Sequence, residues 1–310
     1  MYNKDLFSVK NLTTDLVNSI FIRTSEMAKL VNLKGGDDRL KGKILAELFY
    51  EPSSRTFSSF ITAMQRLGGG IIPLNGMQNT SVSKGESFSH TVKVFSVYAD
   101  CLVIRHPDSG KPEQAALFSD KPVINAGDGP NEHPSQALFD TYTIKERFFG
   151  LDKLTVTMVG DLKYGRTVHS LSLLLSKLDN SIQFNFISPE VLKMPKDIIE
   201  SISKNGNRIV EDNNLDAVIS NSDVIYMTRV QRERFSDLNE YEKLKSYFIL
   251  DSTLMKKAKN EMVVMHPLPI AAGEISFDLD EDKRSFYLNQ ELRNGLYLRM
   301  ALLDLILRKE

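Results

Sequence analysis

Short apolar runs alternate with amphipathic stretches along nearly the whole chain. The apolar runs have the composition of buried strands, and between them apolar residues recur at helical spacing, as Phe57, Phe60 and Met64 do. Alternation of this kind predicts βα units and mostly parallel sheets. The predicted strands are 44–49, 70–74, 101–105, 122–126, 154–160, 182–188, 207–210, 224–228, 247–251 and 262–265, and the predicted helices include 57–67, 85–99, 112–119, 134–148, 165–178, 252–259 and 285–308.

The number of strands predicts two domains. Ten strands are many for one sheet, and 310 residues suit two domains of about 150 residues each. We therefore predict an α/β fold of two doubly wound domains, each a mostly parallel sheet flanked by helices, joined by long interdomain helices. The expected limits are 1–148 and 149–289, and a last helix at about 290–310 is expected to pack back on the first domain.

Polar side chains follow six of the predicted strands, at the point where each run ends. Open α/β sheets bind ligands beyond the carboxyl ends of their strands. If both sheets turn these ends to one cleft, the cleft is cationic in a chain of net charge −1, and it suits a substrate with more than one anionic group. The residues at these ends are Ser53, Ser54, Arg55, Thr56, Arg105, His133, Gln136, Arg166, Arg229, Gln231 and the turn His266-Pro267-Leu268-Pro269.

The hexapeptide 51–56, Glu-Pro-Ser-Ser-Arg-Thr, lies between a predicted strand and a predicted helix. The backbone N–H groups and the positive dipole end of a helix N-terminus suit a phosphate, and Arg55 adds a fork for anionic oxygens. The alternative is an ordinary helix cap, because Ser and Thr favour that position. Arg105 and His133 have equally plain alternatives, as a surface arginine and a capping residue. Their shared placement at strand ends favours a site.

Composition and charge exclude several classes of protein. A net charge of −1 argues against nucleic acid or an anionic membrane as the main partner. No apolar stretch reaches the roughly 18–20 residues of a membrane span. The N-terminus lacks the basic segment followed by an apolar segment that is typical of a signal peptide. The single cysteine, Cys101, lies in an apolar run, so we expect a buried thiol and no disulfide framework. The cytoplasm is the expected compartment.

The familiar cofactor and nucleophile motifs are missing from the sequence. It contains no Gly-x-Gly-x-x-Gly, no Gly-x-x-x-x-Gly-Lys-Ser/Thr, no His-Glu-x-x-His and no Gly-x-Ser-x-Gly. We therefore expect catalysis by positioning and electrostatic stabilisation, without a cofactor, a metal or a covalent intermediate.

Taken together, the strand-end residues resemble those of the aspartate and ornithine carbamoyltransferases, and more closely the aspartate branch. Ser53-Ser54-Arg55-Thr56 is similar to the family's Ser-Thr-Arg-Thr motif, with Ser54 in place of the usual Thr. The further motifs follow in family order over roughly residues 45–300. They are Arg105-His106-Pro107, His133-Pro134-Ser135-Gln136, the segment 161–170, Met227-Thr228-Arg229-Val230-Gln231 and His266-Pro267-Leu268-Pro269.

The same motifs favour aspartate over ornithine. Pro267 stands where an ornithine enzyme is expected to carry cysteine, and Arg166 and Arg229 suit a dicarboxylate. Two alternatives stay open, a carbamoyltransferase for another amino acid such as ornithine and a non-catalytic anion-binding relative. Ile270 and the residues 271–273 depart from the family's usual Arg and acidic stretch, so we expect this loop to differ from that of its relatives.

The resemblance implies a reaction and a role for each residue. Carbamoyl phosphate and L-aspartate would give N-carbamoyl-L-aspartate and phosphate, an early step of pyrimidine (UMP) biosynthesis, in a homotrimer in which Ser81 and Lys84 reach a neighbouring subunit's site and which regulatory chains could join. The implied carbamoyl-phosphate ligands are Ser53, Ser54, Arg55, Thr56, Ser81, Arg105, His133, Gln136, Leu268 and Pro269. The implied aspartate ligands are Lys84, Arg166, Arg229, Gln231 and Leu268. The implied catalytic residues are Arg55, Thr56, Lys84, Arg105, His133 and Gln136.

Overall fold

The chain divides into two compact units. The computed structural model describes residues 1–232, 237–245, 247–271 and 273–309. The first unit comprises Met1–Phe139 with Arg293–Glu310, and the second comprises Asp140–Leu292. The divisions fall inside two helices, α5 (Pro134–Phe148) and α11 (Gln290–Leu307).

The first unit is built on a four-stranded parallel sheet with the order β2-β1-β3-β4. Three of the strands are almost wholly buried, as expected for parallel strands covered on both faces. Cys101 begins one of them and is buried, as predicted, and burial raises the pKa of its thiol. The strands are β1 (Ile44–Phe49), β2 (Gly70–Asn75), β3 (Cys101–His106) and β4 (Val123–Asp128).

Helices cover this sheet, and the first of them was not among the predicted elements. Helix α1 (Thr14–Lys34) buries Val17, Ile20, Phe21, Thr24 and Met27, a spacing of three and four that the sequence displays. Thr13 caps its first turn by accepting a hydrogen bond from the Leu16 N–H at 3.2 Å. The other helices before α5 are α2 (Ser54–Arg66), α3 (Phe88–Tyr98) and α4 (Lys111–Ala116).

Asp304 fastens the last helix within the first unit. Its buried carboxylate accepts hydrogen bonds from Arg23, Arg308 and, at 3.1 Å, from Nη1 of Arg39. Burial alone would raise the pKa of Asp304, but the hydrogen bonds from Arg308 and Arg23 outweigh it, so the pKa is lowered. The charged form therefore holds helix α11 in place at neutral pH.

The second unit is built on a five-stranded parallel sheet with the order β7-β6-β5-β8-β9. Its central strands are almost wholly buried, as in the first unit. The strands are β5 (Thr155–Val159), β6 (Gln183–Ile187), β7 (Arg208–Asp212), β8 (Val224–Met227) and β9 (Val263–Met265). The helices are α6 (Arg166–Leu178), α7 (Lys196–Lys204), α8 (Leu215–Val218), α9 (Leu238–Leu244) and α10 (Ser252–Met255).

The predicted fold class, two parallel sheets flanked by helices, is confirmed. One predicted strand, 247–251, is wrong: there Leu250 makes only an isolated bridge with Ile275. Tyr247 and Ile249 are 49% and 45% exposed, so this apolar run is not buried as a strand of the sheet would be. The predicted helix 252–259 is also too long, because α10 ends at Met255. Within the described residues, no helix is long and apolar enough to cross a membrane.

Candidate active site

In the first unit, the parallel strands bring the predicted residues to one edge of the sheet. Phe49 at the end of β1 pairs in register with Asn75 of β2 and with Arg105 of β3. His106 pairs in turn with Asp128 at the end of β4. The segments that leave these strands therefore start side by side. We call Ser53, Ser54, Arg55, Thr56, Arg105, His133 and Gln136 the first-unit site.

Helix α2 begins at Ser54, directly after β1, as the phosphate interpretation requires. Ser53 is its N-cap residue, yet its side chain makes no capping hydrogen bond. Asn75 holds Ser53 through the backbone instead, accepting from its N–H at 3.1 Å and donating to its carbonyl at 3.4 Å. Ser54 and Arg55 are exposed, whereas Thr56 is buried. The ordinary-cap alternative therefore does not describe Ser53.

Arg105 is held in place at the end of β3. Its side chain is only 13% exposed, and its guanidinium donates to the carboxylate of Glu51. The Tyr50 N–H, just before the hexapeptide, donates to the Arg105 carbonyl at 2.8 Å. Glu51 was not among the predicted site residues, although it lies in the same hexapeptide.

His133 and Gln136 lie buried at the start of α5. The His133 carbonyl accepts from the N–H groups of Gln136 and Ala137 at 3.0 and 3.1 Å, which places His133 at the capping position. Its Nδ1 lies 3.5 Å from the hydroxyl of Ser135. The sequence alternative of a capping residue therefore describes the His133 backbone, while its side chain is buried beside Ser135.

A buried aspartate shapes the loop that precedes His133. Asp128 accepts hydrogen bonds from Gly110 N at 2.7 Å, from Asn131 Nδ2 at 2.9 Å and from Glu132 N at 3.1 Å. Glu132 in turn accepts from the Val9 N–H at 2.9 Å, which ties the N-terminal segment to this loop. The loop that leads into His133 is therefore fixed by hydrogen bonds at Asp128 and Glu132.

Ser81 and Lys84 are the first and last residues of a short 3-10 helix that follows β2. Thr80 caps this turn by accepting from the Val82 N–H at 3.3 Å. Both predicted side chains are exposed in the single chain. They are therefore available at its surface, where the implied role in a neighbouring subunit would need them.

In the second unit, the ends of β5 and β8 touch. A Cβ on Gly160, whose φ is +115°, would lie 2.4 Å from the Thr228 carbonyl oxygen, so only glycine fits there. The Asp161 N–H donates to the Thr228 hydroxyl at 3.0 Å, and this hydroxyl donates to the Val159 carbonyl at 3.0 Å. The segments that carry the predicted arginines thus leave the sheet from adjoining points.

Asp161 organises the residues that follow these two strands. Its carboxylate accepts from the Tyr164 N–H at 3.0 Å and lies 3.5 Å from the Gln231 N–H. The Gln231 amide donates to the Tyr164 carbonyl at 3.0 Å, and Arg166 N donates to the same carbonyl at 3.0 Å as it opens α6. We call Arg166, Arg229 and Gln231 the second-unit site.

Burial and charge act in opposite directions on Asp161. Burial raises the pKa of this carboxyl, while the N–H groups of Tyr164 and Gln231 and the charge of Arg229 lower it, and burial dominates. The sequence places Asp161 directly after a strand, but nothing in the motif reveals that it joins two segments. Its position at a strand end was the signal that could have singled it out.

The turn after β9 is held by a buried histidine. His266 Nδ1 accepts from the Leu268 N–H at 2.7 Å, so the ring proton lies on Nε2, which is 3.2 Å from the Glu274 carboxylate. Leu268 has a φ of +55° and precedes a cis peptide bond to Pro269. His266 is therefore a structural residue of the turn, and it presents the Leu268 backbone.

The departure at Ile270 has a packing role. Ile270 and Leu268 pack against the apolar core of the second unit, which includes Val264 and Leu250. The Ala271 N–H donates to Glu274 at 3.3 Å, and residue 272 lies outside the described residues. An apolar side chain at 270 thus joins this segment to the core.

The side chains at the two sites suit anions rather than a metal ion. In the part of the chain that the structure describes, no three His, Cys, Asp or Glu side chains are grouped so that they could hold a metal ion. The first-unit site offers a helix N-terminus, hydroxyls and two arginines. The second-unit site offers two further arginines and an amide. Both arrangements suit anions.

Comparisons with known families match both units. The family model described as "Aspartate/ornithine carbamoyltransferase, carbamoyl-P binding domain" matches residues 4–146. The model described as "Aspartate/ornithine carbamoyltransferase, Asp/Orn binding domain" matches residues 152–306. Together they cover well over half of the chain.

Named relatives match over nearly the full length. The aspartate carbamoyltransferase catalytic subunit of Thermoplasma acidophilum is 42% identical over 305 residues, covering 98% of each chain. That of Thermococcus kodakarensis is 44% identical over 304 residues and covers 98% of this chain and 97% of the relative. The multifunctional protein pyr1-3 of Dictyostelium discoideum is 46% identical over 303 residues, but this chain spans only 13% of its length.

Solved structures of aspartate transcarbamoylases also match over nearly the full length. The aspartate transcarbamoylase of Trypanosoma cruzi in complex with carbamoyl phosphate and aspartate superposes with a TM-score of 0.94 at 36% identity, covering 99% of this chain and 98% of that one. The catalytic subunit of the M. jannaschii enzyme gives a TM-score of 0.89 at 42% identity, covering 97% of each chain.

Proposed function

The chain belongs to the aspartate/ornithine carbamoyltransferase family, and we propose that its first-unit site binds carbamoyl phosphate while its second-unit site binds L-aspartate. It is a carbamoyltransferase that moves the carbamoyl group of carbamoyl phosphate to the amino group of aspartate. Relatives and solved structures named for aspartate favour this reaction over the ornithine alternative. The observation that carries the residue assignment is the pair Arg166 and Arg229, placed after neighbouring strands.

The phosphate end of the donor is held at the start of α2. The first N–H groups of this helix and the positive end of its dipole meet an anion, and the Ser53 side chain does not cap them. The hydroxyls of Ser53, Ser54 and Thr56 and the guanidinium of Arg55 add further donors. Ser54 keeps the hydroxyl of the family's Thr, so phosphate binding persists at this position.

The carbamoyl end of the donor is polarised by Thr56, Arg105 and His133. Negative charge develops on the carbamoyl oxygen during attack, and donors aimed at that oxygen stabilise the charge. Gln136, buried one turn after His133, binds the carbamoyl amino group. The family resemblance adds Leu268 and Pro269, which lie in the turn that His266 holds, as ligands of carbamoyl phosphate.

The acceptor is oriented by its two carboxylates. Arg166 and Arg229 each offer a bidentate fork, and Gln231 adds an amide donor. Ornithine would bring an ammonium group to the same place, where two guanidinium groups repel it. The second-unit site thereby selects a dicarboxylate amino acid.

The reaction then needs only positioning and charge. The neutral amine of aspartate attacks the carbamoyl carbon and forms the new C–N bond, the bond from that carbon to the phosphate oxygen breaks, and the departing phosphate takes up the amine proton. Orienting two bound reactants can lower a barrier by about 7–11 kcal/mol in favourable cases. No covalent intermediate with the protein enters this scheme.

The wider setting is proposed from the family resemblance. We propose a cytoplasmic homotrimer in which Ser81 and Lys84 complete the site of a neighbouring subunit, and a product that feeds pyrimidine biosynthesis. The exposure of both side chains on the single chain supports this arrangement.

Calorimetry with two ligands tests the assignment. Carbamoyl phosphate alone should bind the wild type and Arg229→Ala with similar affinity, and Arg55→Ala much more weakly, by about tenfold or more for a lost charged hydrogen bond. A phosphonoacetyl-aspartate inhibitor, which carries both anionic ends, should be weakened by either substitution. Loss of carbamoyl-phosphate binding in Arg229→Ala would contradict the assignment.

A further inference from the structure

Two buried carboxyl groups face each other in the second unit, outside the residues that touch substrate in the scheme above. Asp140 lies on α5 and Glu291 lies in the first turn of α11, and they are 0% and 2% exposed. Their side chains are hydrogen-bonded to each other. A hydrogen bond between two carboxyl oxygens needs a proton, so the pair cannot be fully ionised as it stands.

The surroundings favour a protonated carboxyl in this pair. Burial raises the pKa of Glu291 far above its ordinary value, the negative charge of Asp140 raises it further, and the His266 N–H only partly opposes them. The pKa of the Tyr226 hydroxyl is likewise raised by burial and by both carboxyls, so Tyr226 remains a donor. His266 is neutral, because its Nδ1 accepts a hydrogen bond.

Each carboxyl of the pair is hydrogen-bonded to a segment that carries a proposed aspartate ligand. The Tyr226 hydroxyl donates to Asp140 Oδ2 at 2.8 Å, and Tyr226 lies on β8, three residues before Arg229. The His266 N–H donates to Glu291 Oε2 at 3.2 Å, and the His266 ring accepts from Leu268 N at 2.7 Å.

Glu274 is hydrogen-bonded to the other ring nitrogen of His266. Its carboxylate lies 3.2 Å from His266 Nε2, whose proton it accepts. Tyr226, His266 and Glu274 are thus among the titratable groups hydrogen-bonded to the pair or to its histidine. A second negative charge on the Asp140–Glu291 pair would stand in a buried space that already contains the Glu274 carboxylate.

We propose that Asp140 and Glu291 share a single proton and act as positioning residues, fixing Arg229 through Tyr226 and Leu268 through His266. This inference rests on the proposed substrate contacts of Arg229 and Leu268. Loss of the shared proton would set two carboxylates against each other between α5 and α11. The hydrogen bonds to Tyr226 and His266 would then weaken, and aspartate would bind less tightly.

The shared proton is tested by infrared spectroscopy of the assembled protein at neutral pH. The difference spectrum between the wild type and Glu291→Gln should contain the C=O band of a protonated carboxylic acid, present only in the wild type. Glutamine retains an acceptor for the His266 N–H and a donor for Asp140 without any titratable proton. A difference spectrum without this band would overturn the shared proton, whether or not the enzyme uses aspartate.

Unfolding gives a second readout of the same proton. Above the ordinary pKa of glutamate, the unfolded wild type releases a proton that the folded pair keeps, so stability falls as the pH rises. The unfolding constant of the wild type relative to Glu291→Gln should increase by about tenfold per pH unit as the pH rises above about 5, until the folded pair itself ionises. A constant ratio across this range would contradict the proposal.

Steady-state kinetics tests the positioning role. Glu291→Leu keeps the volume but loses both hydrogen bonds, so the KM for aspartate should rise by about fivefold or more, the equivalent of one lost hydrogen bond. Glu291→Gln should restore a KM within about twofold of the wild type, because both bonds can form again. Glu47→Gln, at a buried carboxyl of the first unit, is the matched control and should leave this KM unchanged.

The outcomes separate the inference from the proposed function. A folded Glu291→Leu protein with the wild-type KM for aspartate would overturn the positioning role. If the wild type carbamoylated no aspartate, the proposed function would fail, while the infrared and unfolding experiments would still decide whether the proton is shared.

Discussion

Ser53 and Asn75 illustrate how single residues build the first-unit site. The sequence predicts the hydroxyls and arginines, because they follow apolar runs directly, and the structure places them at the carboxyl edge of one sheet. The sequence does not predict the residues that hydrogen-bond to these side chains or their backbone. Asn75, Glu51 and Asp161 act through contacts across neighbouring strands, and the register that creates these contacts follows from packing.

Glu47 gives a test of burial at the residue scale. It is fully buried in β1, and neither carboxylate oxygen has a hydrogen-bond partner in the described part of the chain. Burial raises the pKa of Glu47 from 4.5 to about 9, against the opposing charge of Arg299. The folded pKa thus exceeds the unfolded one, and stability falls as pH rises from 4.5 to about 9.

Glu47→Leu should remove this pH dependence. The wild type should lose about 1.4 kcal/mol of unfolding free energy per pH unit relative to the variant across this window. Urea unfolding at pH 5, 7 and 9 measures the difference, with Glu47→Gln as the isosteric control that is also neutral at every pH. Parallel pH profiles for the wild type and both variants would show that Glu47 is not held protonated in the folded chain.

At the scale of elements, prediction succeeded where burial and apolar pattern coincide. The strands at the centres of both sheets are mostly apolar and almost wholly buried, and they were predicted within a residue or two. The segment 247–251 is also apolar, but two of its large side chains face solvent, so composition alone gave the wrong element. Helix α1 was missed although its spacing and its Thr13 cap mark it.

Gly165 tests how the start of a helix places a site residue. A Cβ at this position would lie 2.5 Å from the Asp161 carbonyl oxygen, so Gly165→Ala should push the first turn of α6 and with it Arg166. We expect a KM for aspartate about tenfold higher or more, since a displaced guanidinium loses a charged hydrogen bond. Steady-state kinetics at saturating carbamoyl phosphate measures it.

Gly70→Ala is the matched control for this substitution. The nearest atom to its new Cβ would be 3.6 Å away, an ordinary contact, and Gly70 lies in β2 of the other unit. The control should keep the wild-type KM for aspartate. If Gly165→Ala also kept it, the proposed placement of Arg166 through the Gly165 turn would be incorrect.

For the whole molecule, the alternation of strands and helices was enough to predict the α/β class and two sheets. Net charge was informative only as an exclusion, because the cationic groups are local and the remaining surface balances them. Assembly lies beyond what such patterns specify, since it depends on surfaces that meet only between chains. The trimer therefore remains a prediction from the family resemblance.

Mixing two inactive variants tests the shared site. Arg55→Ala and Lys84→Ala should each be nearly inactive alone, and subunit exchange between them should restore activity at roughly a quarter of the sites, since each intact half is drawn with equal chance. The measurement is the specific activity after exchange, with unmixed variants taken through the same treatment as controls. No recovery, despite exchange proven by mass, would exclude a site completed by a neighbouring Lys84.

The most direct measurement is a side-by-side assay of carbamoyl transfer with aspartate, ornithine and N-acetylornithine as acceptors. We expect product with aspartate alone, because Arg166 and Arg229 match two carboxylates and repel an added ammonium group. Arg229→Ala should raise the KM for aspartate without creating activity toward ornithine. Turnover of ornithine as fast as aspartate, or binding of carbamoyl phosphate with no turnover of any acceptor, would contradict the account.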